Sequence, residues 1–150
     1  MVLAGEGAGH GEPLRYPAPM GGEARPRILI VDDDPVILRL LQINFRLEGY
    51  DVDSASRGDE ALRRARETVP DVVVLDIMMP GVDGFDVLRQ LKEDPASRDV
   101  PVILLSARAQ DEDRRRGYAL GVEEYVTKPF DPAHLVEIVR RVLAGRPAQA

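Results

Sequence analysis

Four segments of the 150-residue chain end in polar side chains directly after short runs rich in apolar, β-branched residues. Asp32 and Asp33 follow the first run, Asp76 follows another, and Ser106 and Lys128 close two more. If these runs are strands of one parallel sheet, their carboxyl ends meet at one edge, which is where open α/β sheets bind ligands. The spacing therefore predicts one pocket that collects carboxylates, a hydroxyl and an ammonium group.

Carboxylates gathered in this way need a positive partner, because two like charges about 4 Å apart repel by about 4 kcal/mol at an effective dielectric constant near 20. A donor set of carboxylate oxygens favours a hard cation, and a site that keeps room for water and phosphate oxygens favours Mg²⁺, with Mn²⁺ as a substitute. Lys128 supplies a second positive charge and Ser106 a hydroxyl donor. The set suits phosphoryl transfer, with Asp76 as the nucleophile.

Strand-like and helix-like patterns alternate along the chain and would position these side chains. This rhythm predicts an α/β fold in which five strand–helix units build a parallel sheet. The predicted strands are 28–31, 50–55, 72–75, 102–105 and a last one containing residues 125 and 126. One helix is predicted after each strand. The first is at 35–48, the second starts at 56 and ends before 70, the third is at 85–92, the fourth contains 111–116 and leads to 121, and the fifth is at 132–144.

Helix boundaries are marked by capping residues. Asp34 and Pro35 suit the start of the first helix, and Ser56 is predicted to cap the second. Asp83 and Gly84 are predicted to form the turn and cap of the third helix. The charge run 111–116 is interpreted chiefly as a solvated helix face that can also touch partners. His134 is expected to be exposed in the first turn of the last helix.

Composition excludes several classes of protein. The formal charge of -6 disfavours nonspecific binding to nucleic acid or anionic membrane. The absence of cysteine excludes disulfides, and two histidines make a histidine-rich zinc site improbable. No apolar run approaches the roughly 20 residues that span a bilayer. We expect a cytoplasmic protein that binds neither membrane nor nucleic acid directly.

Residues 1–26 contain six glycines and four prolines with almost no apolar periodicity. Such a segment cannot bury enough surface to offset its ordering entropy, so it is predicted to be a disordered leader. Met20 is an alternative start of translation. The folded domain is expected at 27–145, followed by a short tail at 146–150. Both a stand-alone protein and a piece of a longer one remain open.

Across residues 27–145 the chain resembles the receiver domain of response regulators. The resemblance rests on four segments in order, namely an acidic pair, a lone Asp before a Met-Pro-Gly-x-Asp-Gly loop, a Ser-Ala and a Lys-Pro, in 28–35, 72–84, 102–107 and 123–130. Each motif is weak alone, and their order makes the match specific. The resemblance implies a three-layer, doubly wound (βα)5 fold with the flavodoxin-like strand order 2-1-3-4-5.

The resemblance also assigns roles to individual residues. It implies that Asp76 is phosphorylated by a phosphohistidine donor, either a sensor histidine kinase or a histidine phosphotransfer protein. Asp32, Asp33, Asp76 and the backbone carbonyl of Met78 would organise Mg²⁺. Lys128 and Ser106 would then bind the phosphoryl group. The chain would be a phosphoacceptor that assists its own phosphorylation and dephosphorylation, not an enzyme acting on a separate substrate.

A switch is implied as well. Ser106 would move towards the phosphoryl group and Tyr125 would rotate inward, which reshapes the face built by the fourth helix, fifth strand and fifth helix. That face would be recognised by a protein partner or an output domain, or would form a homodimer. Met78 and Arg108 occupy positions that flank the path of the hydrolytic water in this family.

Two other classes of protein are weighed against this interpretation. One is a receiver-like interaction module that accepts no phosphate. The other is a phosphatase of the haloacid dehalogenase type with Asp32 as nucleophile, which calls for an Asp-x-Asp-x-Thr order, whereas Asp34 is followed by Pro35 and Val36. Nucleotide-binding folds are disfavoured, since no Gly-x-Gly-x-x-Gly follows a strand and no Gly-x-x-x-x-Gly-Lys is present.

Overall fold

Strands and helices alternate in the computed structural model, which describes residues 25–108 and 110–145. In this part of the chain the main sheet contains β1 (Arg27–Val31), β2 (Asp51–Ala55), β3 (Val72–Asp76), β4 (Val102–Ser106) and β5 (Glu124–Thr127). The helices are α1 (Pro35–Leu47), α2 (Gly58–Glu67), α3 (Gly84–Glu93), α4 (Asp111–Ala119) and α5 (Pro132–Ala144). Each helix follows the strand of the same number, as the alternating pattern predicts.

The five strands are parallel and lie in the order 2-1-3-4-5 when they are counted along the chain. Ile30 on β1 pairs with Ser54 on one side and Val74 on the other, and Asp76 at the end of β3 pairs with Leu105. The predicted fold class and strand order are therefore confirmed. The register brings the carboxyl ends of β1 and β3 side by side at one edge.

Helices cover both faces of the sheet. On one face, alternate strand residues such as Ile28 and Ile30 pack with Leu41 and Phe45 of α1 and with α5. On the other face, Leu29 and Val31 pack with α2 and α3. Because both faces are buried, the central strands are apolar in runs of consecutive residues, such as 28–31, 72–75 and 102–105, instead of alternating.

Three aspartates cap helices in the same manner. The side chains of Asp34, Asp83 and Asp131 accept hydrogen bonds from the backbone N–H groups two residues later, which satisfies donors that a helix start leaves free. The predicted cap at Ser56 is wrong, since α2 begins at Gly58. The carboxylate of Glu60 instead reaches back to the backbone N–H of Ser56, at 3.0 Å.

The segment between β3 and α3, expected to be a loop, contains a small antiparallel hairpin of Met78–Met79 and Val82–Asp83. Gly81 has φ 74° at its turn, a conformation that glycine adopts without steric cost. Gly84 lies against the backbone of Ile77, where an added Cβ would be 2.2 Å from Ile77 Cα. This contact holds the start of α3 against the residue that follows Asp76.

Residues 1–24 of the leader predicted at 1–26 lie outside the described residues, and so does the predicted tail at 146–150. The proposed domain limits therefore stay predictions. Among the helices of the described segments, none has the length and apolar character needed to cross a membrane.

Candidate functional site

Three carboxylates converge at the carboxyl edge of β1 and β3. Asp32 and Asp33 follow β1, Asp76 ends β3, and one oxygen atom of each lies within 4.8 Å of those of the other two. Asp32 and Asp76 are 0% and 2% exposed, whereas Asp33 faces solvent. The predicted convergence is therefore present, and the site has two buried acids and one exposed acid.

Lys128 joins the two buried acids. Its Nζ donates to Asp32 Oδ2 at 2.9 Å and to Asp76 Oδ2 at 3.2 Å. The backbone N–H of Lys128 donates to the carbonyl of Ser106 at 2.8 Å, which attaches the end of β5 to the end of β4. The lysine thus supplies the positive charge that two buried carboxylates require.

Backbone groups orient the same two carboxylates. Asp32 Oδ1 accepts from the N–H of Asp34, and Asp76 Oδ1 accepts from the N–H of Met78, each at 2.9 Å. Each buried carboxylate therefore has one oxygen on a backbone N–H and the other on Lys128. This arrangement holds both side chains in place without using any other acidic or basic group.

The pKa values of Asp76 and Lys128 reflect this setting. Burial raises the pKa of Asp76, and the charge of Asp32 adds to that effect, against the lowering effects of the Met78 N–H and Lys128. Burial alone would lower the pKa of Lys128, but its hydrogen bonds and the charges of Asp32 and Asp76 raise it overall. Lys128 is therefore a permanent cation beside Asp76, whose charged form burial destabilises.

Ser106 and Tyr125 meet at Arg108. The buried Ser106 hydroxyl accepts from the Arg108 N–H at 2.9 Å, and the Tyr125 hydroxyl donates to the Arg108 carbonyl at 3.0 Å. Ser106 lies one position beyond the partner of Asp76 on the neighbouring strand. The structure thus links the two predicted switch residues through the backbone of one residue, and Tyr125 is already buried, at 4% exposure.

The arginines of α4 are the feature that the sequence interpretation missed. Arg114 lies over the ring of Tyr125, at 5.1 Å from guanidinium carbon to ring centroid, and Arg116 lies over Phe85 at 4.2 Å. Arg116 also pairs with Asp83 at 3.7 Å. The run 111–116 is therefore more than a solvated face. No signal in the run itself marks these contacts, because the aromatic partners come from β5 and α3.

The oxygen donors fit a hard divalent cation. Asp32, Asp33 and Asp76 provide carboxylate oxygens only, and the exposure of Asp33 leaves an approach from solvent. Such a donor set suits Mg²⁺ or Mn²⁺ and does not suit soft metals. Met78, whose backbone carbonyl is the fourth predicted ligand, begins the hairpin beside Asp76 and is 43% exposed as a residue.

Known proteins resemble this chain in sequence and in fold. Residues 28–140 match the model of the family described as "Response regulator receiver domain". The chain is 43% identical over 118 residues to the DNA-binding dual master transcriptional regulator RpaA of Synechocystis sp., covering 79% of this chain and 49% of that protein. It is 46% identical over 129 residues to the transcriptional regulatory protein PrrA of Mycobacterium leprae, covering 86% and 54%.

Among solved structures, the non-phosphorylated HemR receiver domain from Leptospira biflexa matches with a TM-score of 0.77 and 31% identity, over 84% of this chain and all of that one. The chain spans about half the length of the curated relatives that it matches. The family match, the strand order and the converging acidic edge agree: this chain belongs to the response regulator receiver domain family, the signalling domain of two-component systems.

Proposed function

We propose that this receiver domain is a phosphorylation switch in which Asp76 accepts a phosphoryl group from a phosphohistidine donor. The observation that carries the proposal is the environment of Asp76. Its carboxylate is buried at a strand end, oriented by the Met78 N–H, paired with Lys128 and grouped with two further acids. A carboxylate kept only for stability would not need two acidic neighbours that repel it.

The transfer uses Asp76 as the nucleophile. One carboxylate oxygen attacks phosphorus, a P–O bond forms, and the P–N bond to the donor histidine breaks with its electron pair left on the imidazole nitrogen. Lys128 binds an oxygen of the transferring group and compensates its negative charge. Ser106 donates its hydroxyl to a second oxygen. Both groups stabilise charge that is spread over the phosphoryl oxygens.

Phosphoryl transfer to Asp76 also depends on a divalent cation. Asp32, Asp33, Asp76 and the Met78 backbone carbonyl would hold Mg²⁺, and Mn²⁺ would substitute. When bound, the ion supplies positive charge that neutralises the phosphoryl oxygens and lets the anionic nucleophile and the anionic donor meet. Asp33 is the ligand that solvent reaches most easily, because it is exposed.

Phosphorylation would change the surface through Arg108. The Ser106 hydroxyl accepts from the Arg108 N–H and would donate a hydrogen bond to a phosphoryl oxygen, and the Arg108 carbonyl is the acceptor for Tyr125. The new hydrogen bond of Ser106 would thereby favour the inward position of Tyr125 and change the face formed by α4, β5 and α5. The output is a shift between two populations of that face. Met78 and Arg108 are proposed to set the lifetime of the phosphorylated state by flanking the hydrolytic water.

The partners follow from this role. A sensor histidine kinase or a histidine phosphotransfer protein would supply the phosphoryl group, and a protein partner, an output domain or a second copy would bind the α4–β5–α5 face. The relatives RpaA and PrrA are transcriptional regulators about twice as long as the aligned region. The additional length of these two transcriptional regulators supports an output domain as the partner of the receiver domain, and we propose a cytoplasmic site of action.

Intact mass spectrometry after incubation with acetyl phosphate and Mg²⁺ tests the proposal. We expect the wild-type chain and an Asp86→Asn control, altered at an exposed acid on α3, to gain one phosphate, and Asp76→Asn to gain none. Chelation of Mg²⁺ should abolish the gain. A phosphate on Asp76→Asn, or none on the wild type, would refute the assignment.

A further inference from the structure

Tyr125 is held inward by contacts that do not involve the acidic site. Its ring is buried, and Arg114 lies over it at 5.1 Å. The same guanidinium group donates to the Tyr125 carbonyl at 3.4 Å. One arginine therefore contacts both the ring and the backbone of the proposed switch tyrosine. A cation over an aromatic face attracts it most strongly where water is excluded.

The rest of α4 is shaped to accept the inward ring. Gly117 lies three residues after Arg114 and so on the same side of the helix. An added Cβ at Gly117 would be 2.9 Å from Leu104 Cδ1 and 3.4 Å from Tyr125 Cδ2. The helix thus places a cation and a glycine without a side chain close to the ring. Arg108, whose carbonyl accepts from the tyrosine hydroxyl, is itself tied to α4 by its pair with Asp113 at 3.6 Å.

We infer that Arg114 is a positioning residue that holds Tyr125 inward before phosphorylation, and so sets the resting bias of the switch. This inference rests on the proposed function for its meaning. In the resting protein Ser106 accepts from the Arg108 N–H while Tyr125 is already inward, so phosphorylation would stabilise a tyrosine position that Arg114 already favours. Because coupling between sites is reciprocal, a tyrosine held inward also favours phosphorylation of Asp76.

The test compares Arg114→Ala, Arg114→Lys and Arg115→Ala, the last altered at an exposed neighbour on the same helix. Each protein is labelled with 3-fluorotyrosine, and Tyr125→Phe assigns the Tyr125 resonance. The accessibility of that ring is measured by relaxation from a soluble gadolinium chelate, with no phosphodonor present. We expect Arg114→Ala to lower the ratio of inward to outward tyrosine roughly 5-fold, with partial recovery in Arg114→Lys and no change in Arg115→Ala.

The Tyr50 resonance serves as an internal control, because Tyr50 packs on Phe45 in the other core layer. An unchanged Tyr125 accessibility in Arg114→Ala, with the Tyr50 signal unchanged, would overturn the inference. The outcome of this first measurement does not depend on whether Asp76 accepts phosphate.

A second measurement tests the coupling to Asp76. We expect acetyl phosphate to label Arg114→Ala several-fold more slowly than wild type or Arg115→Ala, and Arg114→Lys at an intermediate rate. A changed Tyr125 resonance together with an unchanged labelling rate would refute the link between the arginine and the phosphoacceptor. If Asp76→Asn is labelled as fast as wild type, the proposed function itself fails while the first measurement still stands.

Discussion

At the scale of single residues, two buried carboxylates and one lysine form the centre of the proposed phosphorylation site. Asp32 and Asp76 share Lys128, and each has its second oxygen on a backbone N–H. The acids that surround them are not equivalent. Asp33 is exposed and belongs to the predicted metal ligands, whereas Asp34, its neighbour in the chain, caps α1. Neighbouring residues of one type therefore have different roles that substitutions can separate.

Replacing Lys128 by Ala should destabilise the metal-free protein by about 3 kcal/mol, because it leaves two buried carboxylates without a counter-charge. Urea denaturation with and without Mg²⁺ measures this loss. Mg²⁺ should recover part of it, since the ion would take over the missing positive charge. Lys92→Ala is the matched control, because Lys92 is also partly buried and donates to the Val100 carbonyl away from the site. An equal Mg²⁺ response in both variants would contradict the prediction.

Asp33→Ala and Asp34→Ala should impair two different properties, Mg²⁺ binding and stability respectively. The first should weaken Mg²⁺ binding roughly tenfold or more, because it removes a ligand, and should barely change stability. The second should cost about 1 kcal/mol of folding free energy, because the first turn of α1 loses its cap, with a smaller effect on Mg²⁺. Isothermal titration calorimetry and urea denaturation measure the two quantities. The reverse ranking would show that the two aspartates were assigned to the wrong roles.

At the scale of elements, strand ends bring the reactive groups together and glycines allow close approach. The hairpin between β3 and α3 turns the chain immediately after Asp76, and Gly84 then lies on the Ile77 backbone. The arginines of α4 cross to β5 and α3 and contact Tyr125 and Phe85. These contacts connect the acidic edge, where we propose that Asp76 accepts phosphate, to the helices that would carry the output.

Gly84→Ala should cost about 3 kcal/mol, since the new Cβ would lie 2.2 Å from Ile77 Cα and neither backbone segment can move freely. Gly81→Ala, in the same hairpin, should cost about 1 kcal/mol, because nothing lies within 4 Å of its Cβ and only its φ of 74° opposes the change. Thermal or urea denaturation of the two variants compares these costs. Equal costs would show that backbone conformation, and not the contact with Ile77, makes glycine necessary at position 84.

At the scale of the whole molecule, one apolar stripe lies on the outer face of α1. Its members are Val36, Leu40, Ile43 and Leu47, which are between 40% and 74% exposed. Their spacing of four, three and four residues aligns them along one side of the helix, as in helices that pack on other helices. The helix begins directly after the aspartates of the site. If Asp76 accepts a phosphoryl group as proposed, the protein that delivers it would contact this stripe.

Leu40→Gln and Ile43→Gln together should slow phosphorylation by a phosphohistidine donor protein roughly tenfold in kcat/KM, because central apolar contacts dominate docking energy. Labelling by acetyl phosphate should be unchanged, since a small donor needs no docking surface. Val69→Gln, an exposed apolar residue outside α1, is the control and should affect neither reaction. A parallel loss with acetyl phosphate would mean that the stripe supports the fold and not the partner.

Much of the fold and of the candidate site can be predicted from the sequence, because the carboxyl ends of parallel strands lie at the same edge of the sheet. The five apolar runs predict the convergence of Asp32, Asp76 and Lys128 at one edge. The residue types at the helix starts predict the caps at Asp34 and Asp83. The cap predicted at Ser56 is wrong, because the helix starts at Gly58, two residues later, and the N–H of Ser56 donates to the Glu60 carboxylate.

Only the tertiary structure decided the contacts that join residues distant in the chain and unmarked by any pattern. It placed Tyr125 inward on the Arg108 carbonyl and Arg114 over its ring, although the charge run of α4 indicated a solvated face. The physical reason is that helix periodicity and charge specify which side of α4 faces the sheet only weakly. Long arginine side chains can either remain in water or cover an aromatic ring, and the neighbouring strand determines which. The sequence by itself determined the acidic edge and the family, and packing between α4 and β5 determined the position of Tyr125, the proposed switch residue.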